Sequence, residues 1–129
     1  MPTLQTNTSL SEIAERFSAL DDFVICGHIN PDGDCLGSQL ALCHALRAMG
    51  KTAHCVLAKA DPIEANLKFL PGVEEMEVAS EYRGPVSVFV AVDVPTVERI
   101  GLASELQSKA SVRFTIDHHA TDGSMSEYN

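Results

Sequence analysis

The sequence predicts an α/β domain, a mainly parallel β-sheet with helices on both faces. Three observations lead there. Segments with helical spacing alternate along the chain with short apolar runs. The apolar runs FVIC (23–26) and VSVFVAV (86–92) do not read as polar on one face, which suits a sheet covered on both sides. Strands that alternate with helices pair in parallel, because each helix carries the chain back to the starting edge. At 129 residues the chain makes one domain at most.

The elements follow in order. Residues 9–20 predict a helix, with Leu10, Ile13, Ala14, Phe17 and Leu20 on one face and Ser9 and Glu12 at capping-box spacing. Residues 23–26 predict a buried strand. Residues 35–49 predict a second helix, apolar on most sides and so well buried, with Gly50 placed to end it. Residues 52–57 predict the next strand, and 63–69 a short helix closed by Pro71-Gly72. Residues 86–92 predict the strongest strand, 103–109 a short helix and 112–116 the last clear strand. No internal repeat or low-complexity segment interrupts this order.

Composition narrows the function. Hydrophobic residues are 45% of the chain, enough for a real core, and the net charge is -9 with a pI near 4.8. Such a chain is not an electrostatic glue for nucleic acid, which calls for a lysine and arginine surface. A phosphate-bearing substrate would need bound cations or another domain to offset the charge. The N-terminal residues hold no apolar core of signal-peptide length, and no run reaches the length of a membrane helix. A cytoplasmic location is therefore expected, with no membrane partner. Cys26, Cys35, Cys43 and Cys55 form no CxxC pair, and three of them sit in apolar segments, where free cysteine acts as a small hydrophobe. A zinc site from Cys26, His28 and Cys35 fits no standard ribbon or finger spacing.

In open parallel sheets, ligands bind beyond the carboxyl ends of the strands. The strand at 23–26 is followed by His28, Asp32 and Asp34; the strand at 86–92 by Asp93; the strand at 112–116 by Asp117, His118 and His119. Each alone has an ordinary explanation. Asp32-Gly33 is a common turn, Asp34 a helix cap, Asp93 a strand-end residue, and a His-His pair usually lies at the surface. Together, in this order and at three strand ends, they point to one site. Carboxylates and imidazoles with no converging lysine or arginine repel one another unless cations sit among them. Their mixture suits manganese, iron, cobalt or zinc, and there are too many for one tetrahedral ion. Two ions sharing a bridging carboxylate, with activation of a water, suit in-line displacement at phosphorus. In the stretch HINPDGDCLGS, Pro31 stiffens the turn and Gly33 gives it freedom, so that Asp32 and Asp34 can face one site. Gly37 and Ser38 fall in the first turns of the following helix, whose free N–H groups can approach a phosphate. His44 and His54 lie outside this pattern, and the pairs Asp21-Asp22 and Glu74-Glu75 read as solvated surface.

HINPDGDCLGS at 28–38, AVD at 91–93 and DHH at 117–119 resemble the first three motifs of the DHH phosphoesterase superfamily, the RecJ-like group. The form PDGD-x-LGS is most similar to its oligoribonuclease (nanoRNase) branch, which also removes the 3'-phosphate from phosphoadenosine phosphate. The resemblance runs from about Ser9 to the end of the chain. It implies a Rossmann-like DHH domain in which His28 and Asp32 bind one manganese ion, Asp34 and His118 bind the second, and Asp93 bridges them. Magnesium or cobalt could substitute. Asp117 would orient a histidine, and His119 would contact the substrate phosphate and donate a proton to the leaving oxygen. The substrate would be a small nucleotide or short RNA, and a homodimer is left open. The family's fourth-motif aspartate and its C-terminal DHHA1 domain are not found in residues 1–129. The resemblance thus implies the N-terminal part of a catalytic domain, weak or inactive alone. The alternative is a catalytically incomplete nucleotide-binding or regulatory domain.

Overall fold

The computed structural model describes residues 9–27, 33–57, 76–79, 82, 84, 86–92, 100, 101 and 103–116. These residues form helices α1 (Leu10–Ser18), α2 (Gly33–Ala48) and α3 (Ser104–Lys109), and strands β1 (Phe23–Cys26), β2 (Ala53–Leu57), β3 (Glu77–Val78), β4 (Val88–Val92) and β5 (Val112–Ile116). The strands make one sheet in the order β3-β2-β1-β4-β5, every pair parallel. The α/β architecture expected from the sequence is the one observed.

The chain moves outward from β1 in both directions. From β1 it crosses through α2 to β2; from β4 it crosses through α3 to β5, on the other side of β1. The helices therefore cover opposite faces, and the core divides accordingly. On one face Ile13 and Phe17 of α1 and Leu40, Cys43 and Leu46 of α2 pack on Phe23, Ile25, Val88, Val90 and Phe114. On the other, Ala103, Leu106 and Ala110 pack with Val24, Cys26, Val56, Phe89 and Ala91. Successive residues of β1 and β4 thus serve both cores, and both strands are buried along their whole length. This is why they carry continuous apolar runs.

Ser9 caps α1: its Oγ accepts from the Glu12 N–H at 3.2 Å. Phe17 then sets its ring edge-on to Phe23 (5.1 Å between centroids) and to Phe114 (4.8 Å), fixing α1 across the sheet. The helix stops at Ser18 rather than Leu20, and Ala14, expected on the apolar face, is exposed. α2 starts at Gly33, two residues earlier than expected. It is not buried on most sides: Ser38, Ala41, His44, Ala45 and Ala48 are exposed. Alanine is apolar enough to read as core and small enough to be left outside. The expected helix at 63–69 and the pair Glu74-Glu75 lie outside the described residues. β3 was not expected. It is a two-residue edge strand, Glu77 and Val78 paired with Val56 and Leu57, too short and too polar to leave a strand pattern.

The amino end of the sheet is tied by an acidic turn. Asp21 Oδ1 accepts from the backbone N–H groups of Asp22 (2.8 Å) and Thr52 (2.7 Å). The Asp22 carbonyl accepts from Ser87 and Val88, and the Phe23 N–H donates to Thr52. Asp22 sits at φ 58°, in the left-handed region that aspartate tolerates better than most residues. The pair Asp21-Asp22 lies at the surface as expected, Asp21 exposed and Asp22 half-buried, and it also joins the starts of β1, β2 and β4.

Candidate functional site

The order β3-β2-β1-β4-β5 reverses direction between β1 and β4, and the carboxyl ends of these two neighbours flank the switch point. The register aligns Glu77, Val56, Cys26, Ala91 and Thr115 in one row across all five strands near their carboxyl ends. Counting on two residues from that row reaches His28 after β1, Asp93 after β4 and Asp117 after β5. Three chain segments that sequence analysis marked thus leave three adjacent strands at one level.

His28, Asp32, Asp93, Asp117, His118 and His119 themselves lie outside the described residues. Asp34 is the second residue of α2, in its first turn and not its cap; its side chain is outside the description. Gly37 and Ser38 fall in the early turns of α2 as expected. Ser38 is exposed, and a Cβ at Gly37 would meet nothing within 4 Å.

What the described residues build is a packed cluster, the floor, at the carboxyl ends of β1 and β2. Gly27, directly after β1, is buried, and a Cβ there would stand 2.0 Å from Cys35 Sγ and 2.9 Å from Gln39 Oε1. A side chain here would force Cys35 and Gln39 to shift. Gln39, 1% exposed, donates through Nε2 to the carbonyls of Ile25 and Val56, both at 3.2 Å. The Cys35 thiol donates to Gln39 Oε1 at 3.8 Å. Sequence analysis missed Gly27 and Gln39. The available signals were a glycine ending a buried strand and a lone amide on the apolar stripe Cys35, Leu36, Leu40, Cys43.

All four cysteines are free and buried. Burial, with a smaller contribution from Cys35, pushes the Cys26 thiol well above the ordinary thiol range. Its neighbour Cys43, through a side-chain hydrogen bond, and then burial do the same for Cys55. Protonated thiols hydrogen-bonded to Gly27, Gln39 and Ala53 oxygens behave as core groups. Among the described residues, no three or more His, Cys, Asp or Glu side chains gather to hold a metal ion. No described helix is long and apolar enough to cross a membrane.

The family model of the DHH family, N-terminal domain, matches residues 22–129. The chain belongs to the DHH family. Within that family it is 38% identical over 112 residues to the bifunctional oligoribonuclease and PAP phosphatase NrnA of Thermus thermophilus, covering 85% of this chain and 32% of that protein. The protein of the same name from Mycoplasma genitalium is 30% identical over 120 residues, covering 88% of this chain and 35% of that one. A solved structure, that of an exopolyphosphatase-related protein from Bacteroides fragilis, superposes with a TM-score of 0.80 at 25% identity, over 92% of this chain and 36% of that one. The chain spans about a third of the length of these relatives.

Proposed function

We propose that this DHH domain provides the metal-binding part of a manganese-dependent phosphoesterase. Its substrates in this reading are phosphodiester bonds of very short RNA and the phosphomonoester of phosphoadenosine phosphate. The observation that carries the reading is the register row: Cys26, Ala91 and Thr115 align on three neighbouring strands beside the switch point of a parallel sheet, and His28, Asp93 and Asp117 each follow that row by two residues in sequence. The names of the relatives from Thermus and Mycoplasma support the substrate class.

The donor set fits the metal. Carboxylates with imidazoles suit manganese, with magnesium or cobalt as substitutes. His28 and Asp32 would hold one ion, Asp34 and His118 the other, and Asp93 both. When bound, such a pair lowers the pKa of a water and neutralises charge on phosphoryl oxygens. The chain's own side chains do the rest. Asp117 accepts from a histidine ring N–H and so fixes its tautomer. His119 donates a proton to the oxygen that leaves phosphorus. A free N–H in the first turn of α2 can face the phosphate. Paired cations also offset the chain's charge of -9 against an anionic substrate. Four free, buried cysteines suit a reducing compartment, which supports the cytoplasm as the place of action.

The test, run on the full-length protein, compares kcat/KM in manganese for RNA of increasing length, phosphoadenosine phosphate and pyrophosphate. Preference for the shortest RNAs and phosphoadenosine phosphate is expected, because long RNA draws its affinity from many basic contacts and this chain has nine lysines and arginines. Asp93→Asn should abolish turnover with an unchanged circular dichroism spectrum. Pyrophosphate as clearly the best substrate, or an active Asp93→Asn, would overturn the reading.

A further inference from the structure

We propose that Gln39 is a positioning residue: its buried amide sets the two ends of segment 28–32, and through them the metal affinity of the site. The inference rests on the function proposed above.

The segment leaves β1 at Gly27 and enters α2 at Gly33. Gln39 touches the structure on both sides of it. Its two amide protons go to Ile25 and Val56, the penultimate residues of β1 and β2. Its oxygen takes the thiol of Cys35, one turn earlier in α2, and lies against Gly27, leaving no room for a Cβ there. Its own carbonyl accepts from Cys55 of β2 at 3.3 Å. One side chain therefore ties two strand ends to the first turns of the helix that carries Asp34.

A neutral hydrogen bond adds little net, but an apolar side chain of the same size would take this donor from the Ile25 and Val56 carbonyls, and a buried group left unpaired carries its full desolvation cost. What an apolar chain lacks is direction. With both donors spent on two different strands, α2 cannot slide or turn over the sheet without losing a bond. Gly27 is held against the same cluster, so the exit of β1 and the entry of α2 keep a fixed separation. Metal ligands on a short connection tolerate misplacement poorly, and outer groups that orient them alter metal affinity by about 10–100-fold.

The experiment measures manganese affinity by electron paramagnetic resonance, and thermal midpoint alongside it, for the wild-type protein, Gln39→Met, Gln39→Asn and Leu46→Ala. Met keeps the volume without donors. Asn keeps the amide but is one methylene short of both carbonyls, and it reports if Met does not fold. Leu46, buried at the far end of α2, is the control for lost stability. Gln39→Met should weaken manganese binding on the order of tenfold, with Gln39→Asn in the same direction. Leu46→Ala should lower the midpoint at least as much and leave affinity unchanged. Wild-type affinity in both Gln39 variants, or equal loss in Leu46→Ala, would overturn the assignment. A wild-type protein that takes up no manganese would instead overturn the proposed function, and the inference with it.

Discussion

Gly27 shows how a single atom is excluded at this site. Its backbone angle is ordinary enough, but the space a Cβ would fill is taken by a sulfur 2.0 Å away and an amide oxygen 2.9 Å away. Cys35 and Gln39 are themselves buried and hydrogen-bonded, so a shift to admit a Cβ disturbs their present bonds. Gly27→Ala should therefore destabilise the fold by about 1–3 kcal/mol, the usual range for overpacking. Adding Cys35→Ala should restore part of that loss, because the closer of the two contacts disappears. Urea unfolding of the single and double variants gives the answer. A single variant as stable as wild type would mean that the floor of the site is softer than the distances indicate. The same crowding explains why Gly27 and Gln39 escape a reading of the sequence: a glycine beside a strand and a glutamine in a helix carry no pattern until the elements are in contact.

At the scale of elements, the turn Asp21-Asp22 supplies a pH-dependent tie. Hydrogen bonds from the Thr52 and then the Asp22 N–H hold the Asp21 carboxyl below its ordinary value of 3.8, with Lys51 adding a weaker attraction against a small desolvation cost. A folded pKa below the unfolded one means a contribution fully present above about pH 4 and lost as pH falls through the folded value. Asp21→Asn keeps an acceptor but removes the charge. It should be the less stable protein at neutral pH, and the gap should close as pH drops below about 4. Chemical denaturation from neutral pH to about pH 2 measures this, and parallel profiles would contradict it. β1 and β5 were legible to the residue, since apolar runs between turn signals leave few alternatives. α2 was read with the right position and the wrong exposure, because its outer face is alanine. β3 was not legible at all: two residues pairing with β2 have no period, and only the sheet defines them.

For the whole molecule, the candidate site was legible in order but not in support. The motif residues stand out because carboxylate and imidazole follow three buried strands in order, although each alone has an ordinary explanation as a turn, cap or surface residue. Their convergence could be inferred from the fold class, and the observed strand order puts β1, β4 and β5 side by side as that inference required. The membership of the DHH family was likewise legible in three short motifs. The central claim is that these strand ends hold two metal ions through His28, Asp32, Asp34, Asp93 and His118. Anomalous scattering at the manganese edge, from crystals of the manganese-loaded protein, tests it most directly. The account predicts two peaks roughly 3.5–4 Å apart beyond the carboxyl ends of β1 and β4, with Asp93 between them. A single tetrahedral ion held by cysteines, or peaks away from this edge of the sheet, would contradict it.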